Sequence, residues 1–209
     1  MSSNKQADVP PSRETRQICP GVARLHVLGW QPGAFLSGEW WDELDLAAWR
    51  IDYHSAASCR RAIDRLIVKR RGFPSGPLPA ALSVSQRRLL ELETRLPGLL
   101  AAMGFYALGQ PRLLHMRSVR EELAVVLDEQ ALNQLAILTP QRTVSEPFSV
   151  FSGMCGLLLG LGTSWMQRDH GACAAWQSLA IRFPPPAAHA SLPPDTDGAE
   201  ALFRLSRFL

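Results

Sequence analysis

Residues 82–108 read LSVSQRRLLELETRLPGLLAAMGFYAL. Leu82, Leu89, Leu96 and Met103 fall seven apart, and Leu92 and Leu99 lie midway between them. Apolar side chains at alternating three- and four-residue steps gather on one face of a helix, so the stretch predicts helix and a buried leucine seam. Pro97 and Gly98 interrupt that seam. Proline lacks the amide that a helix interior uses, so two helices meet there or one helix kinks. Either way the leucines feed a globular core rather than a long coiled coil. Ser83 or Ser85 is placed to cap the start.

Downstream, Gly109-Gln110-Pro111 is a break. Ser118-Val119-Arg120-Glu121 has the form of a capping box, and Leu123, Val126, Leu127, Ala131, Leu135 and Leu138 then make a helical stripe that Pro140 stops. From Phe148 to Met166 there is no charged residue, a length that approaches a bilayer crossing. Gly153, Gly156, Gly160 and Gly162, with polar Ser149, Ser152, Thr163 and Ser164, argue instead for a buried core helix. Gly153, Gly156 and Gly160 recur at helical spacing, which would let a neighbouring helix approach closely; membrane helices use the same spacing. Ala172 to Phe183 is ambiguous between helix and strand, and Pro184 to Pro186 end it. A loop to Gly198 precedes a last amphipathic helix, Ala199 to Leu209, with Leu202, Phe203 and Leu205 apolar.

Upstream, Ile18 to Trp30 alternates weakly between apolar and polar residues, and Gly29 to Gly33 is turn chemistry. Glu39 to Ile51 reads as one helix, with Trp40, Trp41, Leu44, Ala48 and Ile51 apolar and Asp42, Glu43 and Asp45 in its first turns. Ser55 or Ser58 can cap the next, which carries Ile63, Leu66 and Ile67 inward and ends at Gly72. Phe73 to Pro79 is a linker or a rigid surface loop. The expected fold class is all-α, with at most one or two short strands. A single compact helical domain spans 18–209, with flexible loops at 72–79 and 184–198 and a disordered polar tail over 1–17.

Composition bounds the function only loosely. The chain has 209 residues, 46% hydrophobic and 20% charged, with a formal net charge of +3. That is ample for a core and excludes wholesale disorder. The charge is too small to mark a nucleic-acid binder. Four scattered cysteines, Cys19, Cys59, Cys155 and Cys173, make neither a disulfide scaffold nor a zinc pattern and fit a reducing cytoplasm.

Gly156 to Thr163 lacks the lysine of a phosphate loop. His26, His54, His115, His170 and His189 stand apart; only His170 and Cys173 could share a helix face. Glu39, Asp42, Glu43 and Asp45 could supply a carboxylate pair, but acids at a helix start serve the dipole and the solvent. No catalytic residue, cofactor or metal is expected, and an enzyme is not. The one charge feature is Arg60, Arg61, Arg65, Lys69, Arg70 and Arg71, of which Arg61, Arg65 and Lys69 line one helix face. A solvated surface is the bland reading; the sharper one is a grip on an acidic protein partner. A small helical DNA-binding regulator using the basic helix 60–71 is the alternative, though Gly72 to Pro79 is proline-broken where a helix-turn-helix needs a short turn and a polar recognition helix.

A family likeness adds to this reading. Leu92-Glu93-Thr94-Arg95-Leu96 through Met103-Gly104-Phe105-Tyr106-Ala107-Leu108-Gly109, followed by Val119-Arg120-Glu121-Glu122-Leu123 running to Ala136-Ile137-Leu138, resembles the central block of SctK-type proteins of bacterial type III secretion. Ser152-Gly153 in an apolar helix, then Trp176 through Arg182-Phe183-Pro184, is similar to the same family's later segment, with Phe183 where leucine is usual. Cys19-Pro20 with Leu25-His26 echoes its front. The resemblance implies a non-enzymatic cytoplasmic adaptor, peripheral to the inner-membrane secretion apparatus. It would link the cytoplasmic domain of the inner-membrane ring protein to the pod protein of the sorting platform, bind no nucleic acid and insert in no membrane.

Overall fold

A computed structural model describes residues 19–142, 153–186, 192–193 and 196–209. It contains eleven α-helices and no strand among the described residues: α1 Pro20–Trp30, α2 Gly38–Glu43, α3 Arg50–Ser55, α4 Ala57–Arg71, α5 Val84–Glu91, α6 Leu96–Leu108, α7 Arg117–Leu123, α8 Glu129–Leu138, α9 Met154–His170, α10 Ala174–Ala180 and α11 Gly198–Leu205. The all-α expectation holds, and the stretch from Ala172 to Phe183 contains helix α10 and no strand. The expected tail over 1–17, residues 148–152 of the apolar run and residues 187–191 and 194–195 of the loop over 184–198 lie outside the described residues.

The leucine seam is two helices. Ser83 caps α5 with a reciprocal pair: its Oγ accepts the Gln86 amide at 3.2 Å, and Gln86 Oε1 accepts the Ser83 amide at 2.9 Å. Pro97 falls in the first turn of α6, where its missing amide has no intrahelical partner to lose. Gly109 ends α6 in the left-handed region at φ 66°.

α6 and α9 form the most extensive helix pair. Leu99, Leu100, Met103, Leu158, Trp165 and Met166 are buried around it. A Cβ added to Gly104 would lie 2.9 Å from Leu158 Cα, and one added to Gly162 would lie 3.0 Å from Leu100 Cα. Each helix thus presents a glycine to the other's backbone. Close approach through glycine was expected of α9, but at other positions: Gly153, Gly156 and Gly160 meet nothing within 4 Å among the described residues. α9 has 17 residues, and no helix of the described residues is long and apolar enough to cross a membrane.

Three further expectations fail. Glu39 to Ile51 is not one helix; α2 stops at Glu43, Asp45 sits at φ 52°, and a 3-10 turn at Ala47–Trp49 leads into α3. Aspartate tolerates that backbone better than most residues, and the Arg70 guanidinium holds the bend by donating to the Leu44 carbonyl at 2.5 Å and to that of Asp45. Ser118 caps nothing, since α7 starts one residue earlier and Glu121 pairs with Arg117 at 2.7 Å. The stripe behind it is split by Asp128, whose Oδ1 accepts the Ala131 amide at 2.7 Å and so starts α8.

A large apolar cluster runs from Leu25 to Leu205 and gathers α1, α5–α11 and the packed stretch with Phe73 and Leu78. A smaller one, Trp41, Leu44, Leu46, Tyr53, Ile63 and Ile67, joins α2, α3 and α4. Glu93, between α5 and α6, accepts from Arg24 at 2.5 and 2.8 Å and from Arg182 at 2.6 Å, tying α1 to the segment after α10. Of the four early tryptophans only Trp41 is fully buried; Trp40 is half-buried, and Trp30 and Trp49 are exposed.

Candidate partner-binding cleft

α4 turns Ile63 and Ile67 into the smaller cluster, which fixes the direction of its other faces. At 100° per residue, Arg61, Arg65 and Lys69 then share one flank. They line a cleft of about 800 Å³ together with Arg60, and Trp30, Gln31 and Ala34 also contribute to its lining. The three cations are exposed and make no ion pair among the described residues. Arg60 is partly committed, donating to the carbonyls of Tyr53 at 3.0 Å and His54 at 3.2 Å.

The deep end of the cleft carries a carboxylate that the charge pattern did not single out. Asp64 is 6% exposed, and its Oδ1 accepts the Gly33 amide at 2.9 Å and the Tyr53 hydroxyl at 3.2 Å. Burial pushes the Asp64 carboxyl above the usual aspartate range, against the opposing pull of those two donors and of Arg60. Burial, reinforced by Asp64, pushes the Tyr53 phenol to about 12, so it stays a donor at neutral pH. Gly33 is required here, because any Cβ would collide with the Tyr53 ring. The sequence signal for Asp64 is a lone acid inside a run of bases, adjacent to the inward Ile63.

The other two bases of the run face elsewhere. Arg70 bonds the α2–α3 bend, with Asp45 Oδ2 at 3.2 Å. Arg71 is half-buried at the end of α4, its guanidinium 5.8 Å from the Trp40 ring centre and 5.1 Å from that of Phe73, and it donates to the Gln177 carbonyl of α10. Burial without a carboxylate partner lowers it to about 10, so it remains charged at neutral pH. Glu39, Asp42, Glu43 and Asp45 are exposed on and after α2.

A second cleft, about 510 Å³, brings His170 and Cys173 near Asp197 between α5, α9 and α11. His170 Nε2 lies 3.1 Å from Asp197 Oδ1, the carboxylate that also accepts the Glu200 amide and starts α11. No group of three metal-ligating side chains forms among the described residues. The four cysteines are unpaired. Gly156 to Thr163 runs inside α9 rather than forming a loop.

A family model described as a type III secretion system subunit matches residues 23–185 of the chain. No curated protein and no solved structure matches it.

Proposed function

The chain belongs to that family of type III secretion system subunits, and from this premise we propose that it works as a non-enzymatic adaptor at the cytoplasmic face of the secretion apparatus. It joins the cytoplasmic domain of the inner-membrane ring protein to the pod protein of the sorting platform, and it stays peripheral to the membrane. The observation that carries the reading is the row of Arg61, Arg65 and Lys69, exposed and unneutralised along a cleft on a helical body. Solvated arginines scattered singly would need no explanation. Two arginines and a lysine at one-turn spacing beside an exposed Trp30 bring arginine and tryptophan, residue types that anchor interfaces, to one spot.

The DNA-binding alternative finds less support. After α4 the chain enters a segment whose Phe73, Pro74 and Leu78 are buried, and α5 contributes Leu89 and Leu90 to the core. Neither arrangement offers a polar recognition helix.

The test is a triple charge reversal, Arg61→Glu, Arg65→Glu and Lys69→Glu, in the full chain. Purified ring-protein cytoplasmic domain and pod protein are each offered to wild type and variant. The expected result is loss of one partner and retention of the other, with an unchanged circular-dichroism spectrum. Retention of both would remove the α4 face from the adaptor mechanism.

A further inference from the structure

We propose that the α4 cleft receives a linear acidic peptide segment of a partner, laid along Arg61, Arg65 and Lys69 in extended form; this rests on the adaptor reading above. Two features of the cleft set the chemistry: the spacing of its rim and the carboxylate at its deep end.

Residues four apart on a helix rise about 6 Å, so the three cations form a track about 12 Å long. In an extended chain, side chains on one face recur every two residues, about 6.6–6.8 Å. Acids at alternate positions of an extended segment therefore meet the three bases in turn. A short free peptide is a poor helix in water, which makes the extended form the less costly one to bind. Trp30, 46% exposed, gives an apolar residue of the same segment a surface to cover.

Asp64 decides between kinds of anion. Its carboxylate is built into the fold by Gly33 and Tyr53 and belongs to the cleft lining. A phosphodiester backbone offers only acceptors and negative charge toward it. A peptide backbone offers N–H donors, while its carboxylates can stay along the rim track of about 12 Å, away from Asp64, the one acid among the described cleft-lining residues. The cleft thus matches an acidic polypeptide better than a nucleic acid. Cations at the rim also steer such a segment to the site, with a rate that falls as salt rises.

The experiment uses the full chain and a fluorescein-labelled peptide with glutamate at three alternate positions and leucine or valine between them. Its anisotropy is followed at low and physiological salt, beside a peptide with lysine at the central acid and a single-stranded oligonucleotide. The expected result is binding of the acidic peptide that weakens about tenfold or more in Arg65→Glu, with the central-lysine peptide regaining affinity for that variant. Should Arg65→Glu perturb the circular dichroism, Arg65→Gln supplies the same comparison with the rescue replaced by a smaller loss. Equal peptide binding by wild type and variant, or tighter binding of the oligonucleotide than of the peptide, overturns the proposal. Loss of a partner in the triple variant without any peptide binding also overturns it, while leaving the adaptor reading intact. Peptide binding that obeys the charge swap, with both partners retained by the triple variant, supports the cleft chemistry and refutes the adaptor role of this face.

Discussion

Where α6 crosses α9, two glycines set backbone against backbone, and leucine, methionine and tryptophan side chains fill what remains. Around α4 the elements are held differently: Asp64 bonds Gly33 and Tyr53, Arg60 bonds two carbonyls, and Arg70 bonds the bend between α2 and α3. The first region is specified by shape and the second by directed polar contacts around a small apolar cluster. Shape complementarity tolerates almost no added volume. A polar staple tolerates volume but not the loss of a partner, and it leaves neighbouring charges free to face outward. A rigid pair of central helices and a charged cleft beside a smaller cluster are thus different kinds of parts, and substitutions should separate them.

The largest effect should come from filling the crossing. Gly104→Ala places a methyl against the Leu158 carbonyl, and Gly162→Ala places one against that of Leu100. Backbone cannot rotate aside as a side chain can, so the helices must separate along a contact that contains the most buried residues. A loss of about 3 kcal/mol or more is expected for either, at the upper end of overpacking costs. Urea unfolding monitored by circular dichroism measures it; a loss below about 1 kcal/mol would mean that the crossing is looser than the glycines imply.

A subtler separation lies in acid. Glu93 is held below the usual glutamate range, first by the hydrogen bond from Arg24 and further by Arg182, against the effect of burial. Its stabilisation is present above the ordinary value and is lost as pH falls through the lowered one. Asp64 is raised by burial, so its sign is opposite: stability is fullest below its ordinary value and declines as pH rises through the raised one. Between about pH 3 and 6, Glu93→Gln should flatten the acid loss, whereas Asp64→Asn should steepen it by removing the opposing slope. Urea midpoints of both variants against wild type across that range test the pair. Parallel curves for all three proteins would show that neither carboxyl titrates differently in the folded state.

Much of this contrast could be read from residues alone, and the parts that could not share a cause. The seam of Leu89, Leu96 and Met103 and the capping Ser83 are local patterns, and each lies where its period puts it. The shared flank of Arg61, Arg65 and Lys69 is equally local. Which glycine of α9 meets α6 is a matter of which face the helix turns inward, and Leu158, Trp165 and Met166 decide that only once a partner is present. The bend at Asp45 is held by Arg70, 25 residues away, and the start of α9 is held by Glu122 of α7, whose Oε2 accepts the Gly153 amide at 3.2 Å. Asp64 is likewise defined by Gly33, 31 residues distant. Contacts between side chains and remote backbone leave no period in the sequence. The Ser118 box failed for a different, local reason: its spacing is right, but α7 begins at Arg117 and Glu121 pairs with that residue instead.

The smallest effect has the opposite sign and tests the same crossing from outside. Gly160 sits in the interior of α9 and Gly156 in its first turn, each with no described atom of another element within 4 Å of an added Cβ, and Gly156 is exposed. In a helix interior glycine costs about 0.5–1 kcal/mol relative to alanine, because it leaves more backbone freedom to be lost on folding. Gly160→Ala should therefore raise stability by that amount, and Gly156→Ala, in the first turn, should raise it by less, measured by thermal and urea unfolding beside Gly162→Ala. Three alanines within seven residues of one helix would then divide into two gains and one large loss. A loss at Gly156 would require a body packed against the outer face of α9, and the helix would have two close neighbours rather than one.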